Sequence, residues 1–260
     1  MKRYFSQWSQ NWLPLIAILA IIPIWEAICK IFSIPTFILP APSDIAIAFT
    51  QVSMERWLDN LWATLRIALL GFIISFLISI PLAIMMVNSK FLTRALFPIL
   101  IVIQSTPVVA IAPLLIVILG TGDAPRLTIT CLITFFPLVV SATTGMLATP
   151  PELIELSRSL SVKNSKTIWQ IRLPYAIPHI FSGVKVAITL AVIGSVIAEF
   201  VAAEKGLGYL VQFSTSYFKI PQAFAALVFL SLVSMLLFKA VSWVQKGYFS
   251  WSLTEEEKQR

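Results

Sequence analysis

Ionisable side chains are scarce in this sequence, and the places where they gather are where chemistry or recognition could be done. Glu152, Glu155, Arg158, Lys163, Lys166 and Arg172 all fall within residues 152–178, a mixed-charge island in an otherwise apolar chain. The chain offers no set of nucleophile, base and orienting group. His179 is the single histidine, so no imidazole cluster exists for metal or acid–base work. Cys29 and Cys131 stand far apart in apolar runs with no spaced metal ligands around them, which makes them small core residues. The turn Gly120-Thr121-Gly122-Asp123 is rich in glycine, but no Gly-Lys-Ser or Gly-Lys-Thr follows it or occurs elsewhere, so no phosphate loop is expected. What remains is recognition: a charged, partly apolar surface offered to a partner.

The grammar of the island predicts two short helices joined at a break. Pro151 suits a first helical position, Glu152 and Glu155 lie at the positive end of the helix dipole, and Leu153, Leu156 and Leu160 recur on one face. That face needs an apolar partner. Ser161 and Val162 interrupt the pattern, Asn164 or Ser165 can cap a second helix, and Pro174 is expected to stop it.

The setting of the island is a membrane. Of the 260 residues 58% are hydrophobic and only 12% charged, with a mean hydropathy of +0.89. A soluble domain would carry about 25% charged residues. Several uncharged runs reach the roughly 20 residues that cross a bilayer as helix, and six spans are expected. They begin near residues 12, 61, 95, 127, 180 and 223. Residues 1–11 then form an N-terminal segment, 12–246 one six-helix membrane domain with a loop at 148–179, and 247–260 a tail. The +7 balance lies mostly in one set of loops, which puts both termini and the island on the cytoplasmic side. It is an orientation signal rather than a nucleic-acid signal.

Polar residues inside the spans are candidates for a path. The third span, residues 95–119, contains Pro98, Pro107 and Pro113 with Gln104, Ser105 and Thr106 between them, and reads either as a kinked packing helix or as a path lining. Ser195 is a further path candidate. Glu199, near the end of the fifth span, is expected close to the outer surface. Arg66 is either a snorkelling interfacial residue or a path residue. Glu26 and Lys30 lie one helical turn apart and can pair. In the connection at residues 33–60, Ser43 is expected to cap an amphipathic helix beginning at Asp44.

The island resembles the signature cytoplasmic loop of ABC importer permeases, with Glu155, Ile171, Leu173 and Pro174 at matching positions. Leu156 and Ser157 replace the usual two alanines, and Ser161 stands where glycine is usual. That position often needs a left-handed backbone, which costs a residue other than glycine on the order of 1 kcal/mol. Further stretches are similar to the branch that takes up nitrate, sulfonates, taurine, bicarbonate and pyrimidine vitamin precursors. They are Leu39-Pro40-Ala41-Pro42-Ser43, residues 64–72, residues 106–114, Ala198-Glu199-Phe200 and Gly206-Leu207-Gly208-Tyr209.

The resemblance implies an all-α integral membrane protein of the inner membrane, with type I importer architecture and a coupling-helix hairpin. It implies a complex with cytoplasmic ABC ATPase subunits, a second permease subunit (a homodimer) and an external solute-binding protein. The chain itself would carry no cofactor or metal, ATP and Mg being held by the ATPase. The expected coupling residues are Glu155, Arg158, Leu160, Ser161, Val162, Ile168, Ile171, Leu173 and Pro174. The expected path residues are Gln104, Ser105, Thr106 and Ser195, and Glu199 would touch the binding protein. The rivals are an ATPase-independent carrier or channel and a membrane scaffold without transport; against a carrier stands the lack of buried paired carboxylates.

Overall fold

The computed structural model describes residues 20–253, and within them every regular element is a helix. Helix α1 covers residues 20–31; the rest of the first expected span lies outside the described residues. There follow α2 (Pro42–Gln51), α3 (Met54–Asn88), α4 (Lys90–Ser105), α5 (Val108–Leu119) and α6 (Asp123–Leu147). After them come α7 (Pro151–Ser159), α8 (Asn164–Thr167), a π turn (Ile168–Arg172), α9 (Leu173–Ala202), α10 (Leu207–Ser216) and α11 (Ile220–Tyr248). Among the described residues four helices are long and apolar enough to cross a membrane, or five if the α4–α5 pair counts as one broken span.

That pair corrects the expected third span. α4 and α5 meet at 94°, not at a gentle kink. The cause is Pro107, which pushes the residue before it out of helical geometry: Thr106 is extended, with φ −77° and ψ 128°. Pro98 and Pro113 lie inside their helices and break neither. The Val102 carbonyl at the bend is met by the Ser105 and Thr106 hydroxyls, which donate to it at 3.0 and 2.8 Å.

The centre of the bundle is α3, α6 and α9. In lipid no hydrophobic force draws apolar helices together, so association rests on close packing and interhelical hydrogen bonds. Both are present. A Cβ on Gly71 of α3 would stand 2.6 Å from Thr130 of α6, and one on Gly183 of α9 would stand 2.5 Å from Ser141 of α6. Beside these approaches Ser75 donates to the Cys131 carbonyl at 3.2 Å, Thr134 donates to Ser75 at 2.7 Å, and Ser79 donates to the Phe135 carbonyl at 3.2 Å. Such bonds contribute about 0.6 kcal/mol each in membrane proteins. Serine and threonine therefore tie α3 to α6 at two successive turns.

Around this centre, three sequence expectations change. Ser43 does not cap α2; Ala41 is the cap residue and Asp44 accepts from its backbone N–H at 3.1 Å. Ser43 instead donates its N–H and hydroxyl to Glu26 at 3.0 and 2.7 Å, while Lys30 pairs with the same carboxylate at 2.6 Å. This staples α1 to α2. Arg66 is paired with Asp123 at the start of α6, so its charge bridges two helices. The third span, expected to begin near residue 95, starts earlier, at Lys90: only Ser89 separates α3 from α4, and its hydroxyl accepts from the Leu92 N–H.

Candidate functional site

The island folds as the expected hairpin, with different joints. Pro151 opens α7 at its first position. The helix ends where Val162 donates its N–H to the Ser157 carbonyl at 3.0 Å and Ser161 donates to the Arg158 carbonyl at 2.9 Å. These two bonds close a Schellman motif, whose middle residue must be left-handed. Ser161 is, with φ 56°, so the backbone demanded of the usual glycine is met by a serine. The hydroxyls of Ser157 and Thr167, both buried, lie 2.6 Å apart and lock α7 against α8. Lys163 is the cap residue of α8. Asn164 lies inside it and donates its side-chain amide to Asn88 at the end of α3, at 2.8 Å.

Pro174 does not stop the second helix. The backbone continues as one helix over Asn164–Val201, and the π turn at Ile168–Arg172 immediately precedes the proline. A proline ring collides with the carbonyl four residues back. The wider turn, in which Leu173 bonds the Ile168 carbonyl, relieves that collision without ending the helix.

With its fold satisfied internally, the hairpin leaves an apolar stripe uncovered: Leu153, Leu156 and Leu160 are 40%, 56% and 68% exposed. Glu155, Arg158 and Ser161 are also exposed, and Val162, Ile171, Leu173 and Pro174 half-buried. Ile168 departs from expectation. It is 3% exposed, packed into its own chain by the π turn, and so steadies the hairpin rather than presenting itself to a partner. The stripe lines a groove of about 470 Å³ together with Val162, Ile171 and Pro174. Trp251, from a 3₁₀ turn (Ser250–Ser252) after α11, lines it too. Trp251 was expected in a tail at 247–260; the aromatic run of Tyr248, Phe249 and Trp251 ahead of the acidic residues was the available signal.

The four path candidates separate. Gln104 and Ser105 are exposed and Thr106 half-buried at the α4–α5 bend. Ser195 is fully buried in α9, where its hydroxyl donates to the Val192 carbonyl at 2.9 Å. It faces packed helices and lines no opening in this conformation.

Glu199, expected close to the outer surface where a binding protein could touch it, lies near the end of α9 but does not present its carboxylate there. It is 1% exposed and belongs to a polar knot around the start of α10. Three successive backbone N–H groups there have no partners inside their own helix. Gly206 donates to the Asn60 side chain at 2.8 Å, Leu207 to the Thr64 hydroxyl at 2.8 Å, and Gly208 to Glu199 Oε2 at 2.7 Å. A Cβ on Gly206 would lie 2.2 Å from the Glu199 carboxyl carbon, and the Gly206 φ is +136°. The carboxylate thus occupies the space that a glycine vacates. Glu199 Oε1 has no hydrogen-bond partner among the described residues. The two-glycine spacing was legible in sequence, but Asn60 and Thr64, which meet Gly206 and Leu207, lie more than a hundred positions away on α3.

Comparison with known proteins matches residues 71–248 to the family described as binding-protein-dependent transport system inner membrane component. The chain is 32% identical over 247 residues to the riboflavin transport system permease protein RibX of Chloroflexus aurantiacus, covering 94% of this chain and 91% of that one. It is 29% identical over 238 residues to the formylaminopyrimidine transport permease protein ThiX of Halalkalibacterium halodurans, covering 92% and 95%. Permeases named for aliphatic sulfonates in Bacillus subtilis and for nitrate in Synechocystis match at 25% and 24%. Among solved structures, a chain of the MetNI methionine ABC transporter in an inward-facing conformation superposes with a TM-score of 0.65 at 20% identity, over 74% of this chain and 95% of that one.

Proposed function

The chain belongs to the family of inner membrane components of binding-protein-dependent transport systems, and from that premise we propose how its parts divide the work of uptake. It is the permease of an ABC importer, a multi-pass membrane protein that acts in transport with ATPase subunits. The α7–α8 hairpin is the seat of the ATPase. The observation that carries this is the uncovered leucine stripe on a hairpin already closed by the Ser157–Thr167 bond and a complete Schellman motif. Leucines needed to fold the hairpin would be buried in it; these are not.

In this reading Glu155, Arg158, Leu160, Val162 and Ile171 grip the ATPase, and Ile168, Leu173 and Pro174 fix the hairpin to the membrane helix behind it. ATP and Mg²⁺ are held by the partner, which hydrolyses the nucleotide, and this chain needs no cofactor of its own. Two copies assemble around the path, both termini and the hairpin face the cytoplasm, and an external binding protein delivers the solute. The bend at Gln104, Ser105 and Thr106 is the soft part of the path, where alternating access requires a segment that can change shape. The solute is a nitrogen heteroaromatic compound of the vitamin or vitamin-precursor kind, supported by the names of the relatives at 29–32% identity over those at 24–25%.

Affinity purification from the native membrane, with mass spectrometry of what co-purifies and of the ligand on any binding protein recovered, tests all of this together. An ATPase and a binding protein loaded with a heteroaromatic ligand are the expected result. A binding protein loaded with a sulfonate or nitrate would overturn the substrate assignment alone. Recovery of the chain with neither partner under gentle detergent would overturn the division of work.

A further inference from the structure

The end of α11 is not a loose tail. Gln245, 2% exposed, donates its side-chain amide to the Ser252 hydroxyl at 3.1 Å, and Ser252, 5% exposed, donates in turn to the Phe249 carbonyl at 2.7 Å. The Phe249 ring packs on Phe181 of α9 with centroids 5.2 Å apart. A polar chain buried this deeply fixes the turn that carries Trp251. The indole, 57% exposed, then lines the groove that Leu153, Leu156 and Leu160 line from the hairpin. Two segments about ninety residues apart in sequence thus share one apolar groove.

We propose that the C-terminal turn is the second half of the ATPase seat, with Trp251 as an anchor of the docking groove beside the α7 leucines. This rests on the reading of the hairpin as the ATPase seat, with which the groove is continuous. Charge names the chemistry of the occupant: Lys166 lies in the groove lining itself. Arg158, Lys163, Lys166 and Arg172 outnumber Glu152 and Glu155 across the hairpin and its root, so the entering segment carries an apolar side chain flanked by acidic ones. Large aromatics at the centre of such a patch, with charges at its edge, carry most of the binding energy of protein interfaces. A groove walled from both α7 and the end of α11 also passes ATPase movement to two helices at once.

The experiment uses the permease with its ATPase in nanodiscs and reads ATPase affinity and uptake per ATP hydrolysed. Trp251→Ala is expected to weaken ATPase binding at least tenfold while leaving membrane insertion unchanged, and Trp251→Phe to restore most of it. Should Trp251→Ala insert poorly, Trp251→Cys in a Cys29→Ser, Cys131→Ser background serves instead: a maleimide labels it in the permease alone and is blocked at least fivefold by added ATPase. Unchanged ATPase affinity in Trp251→Ala, or equal labelling with and without ATPase, overturns the proposal. Deleting residues 254–260 is expected to leave affinity unchanged; a gain would mean that the acidic Glu255-Glu256-Glu257 segment occupies the groove, and would overturn it too. If the native chain binds no ATPase at all, the fault lies with the reading of the hairpin, not with Trp251.

Discussion

Gly206→Ala places one methyl group where the structure has least room for it. The added Cβ would meet the Glu199 carboxyl carbon at 2.2 Å and its two oxygens at 2.4 and 2.5 Å, so the carboxylate must leave. The backbone at Gly206, φ +136° and ψ 160°, lies in a region essentially reserved for glycine, which costs another residue about 1–3 kcal/mol. Glu199 loses its bond to the Gly208 N–H, and a hydrogen bond to a charged group contributes about 1.5–3 kcal/mol. Together the change costs roughly 2.5–6 kcal/mol. For a chain of this size each kcal/mol moves a melting temperature by about 2–4 °C, so a fall of at least about 5 °C is expected. With the half-buried Cys131 replaced by serine, a thiol-reactive dye reads it directly, because Cys29 is 5% exposed in the fold and becomes available on unfolding. Gly247→Ala is the control: nothing lies within 4 Å of its added Cβ, and it sits within α11. Alanine gains about 0.5–1 kcal/mol over glycine inside a helix, so this variant melts at or slightly above the native temperature. If Gly206→Ala melted within about 2 °C of the native protein, the polar knot would not hold α10 in place and the account of Glu199 would be wrong.

Three further outcomes follow from the hairpin and the bend. Ser161→Gly removes a left-handed penalty of about 1–2 kcal/mol and adds about 0.5–1 kcal/mol of glycine entropy. The variant should therefore melt no lower than the native protein and transport normally, whereas Ser161→Val, with its β-branch, should melt lower. Glu155→Lys should insert normally while ATP hydrolysis no longer drives uptake; normal uptake would remove Glu155 from the coupling surface. Gln104→Ala should change uptake rate or solute range in proteoliposomes, and a variant indistinguishable from native in both would take the α4–α5 bend out of the path.

What the sequence made legible was local, and what it hid was long-range. Pro151, the leucine spacing and the left-handed demand at Ser161 are each set by neighbours within a few residues, and each was found in place. Pro174 misled because a proline's effect depends on whether the turn before it can widen, and no residue type announces a π turn. Pro107 misled in the other direction. Three prolines in one span looked alike in sequence, yet only the one following Thr106 lies at a bend, where a serine and a threonine hydroxyl both satisfy the Val102 carbonyl. Glu199 was misplaced because its position near the end of a span suggested water, while its partners Gly206 and Gly208 lie beyond the turn and Asn60 and Thr64 stabilise the same turn from α3.

These placements bear on how a push on the hairpin could reach the far side of the membrane. The helix that begins at Asn164 runs to Val201 without interruption, a rod on the order of 55 Å with the hairpin at one end and Glu199 at the other. Along its length it packs on α6, and α6 is tied to α3 by serine and threonine hydroxyls. α3 in turn meets the hairpin through Asn88 and Asn164, and meets α10 through Asn60 and Thr64. Hairpin and α10 are thus fixed to the same two rods at opposite ends, and on the proposed mechanism they must move as one body. The bend at residues 105–107 belongs to neither rod. On the same mechanism any motion of α4 relative to α5 is taken up there, where the Ser105 and Thr106 hydroxyls both reach the Val102 carbonyl and keep it from lying bare in lipid.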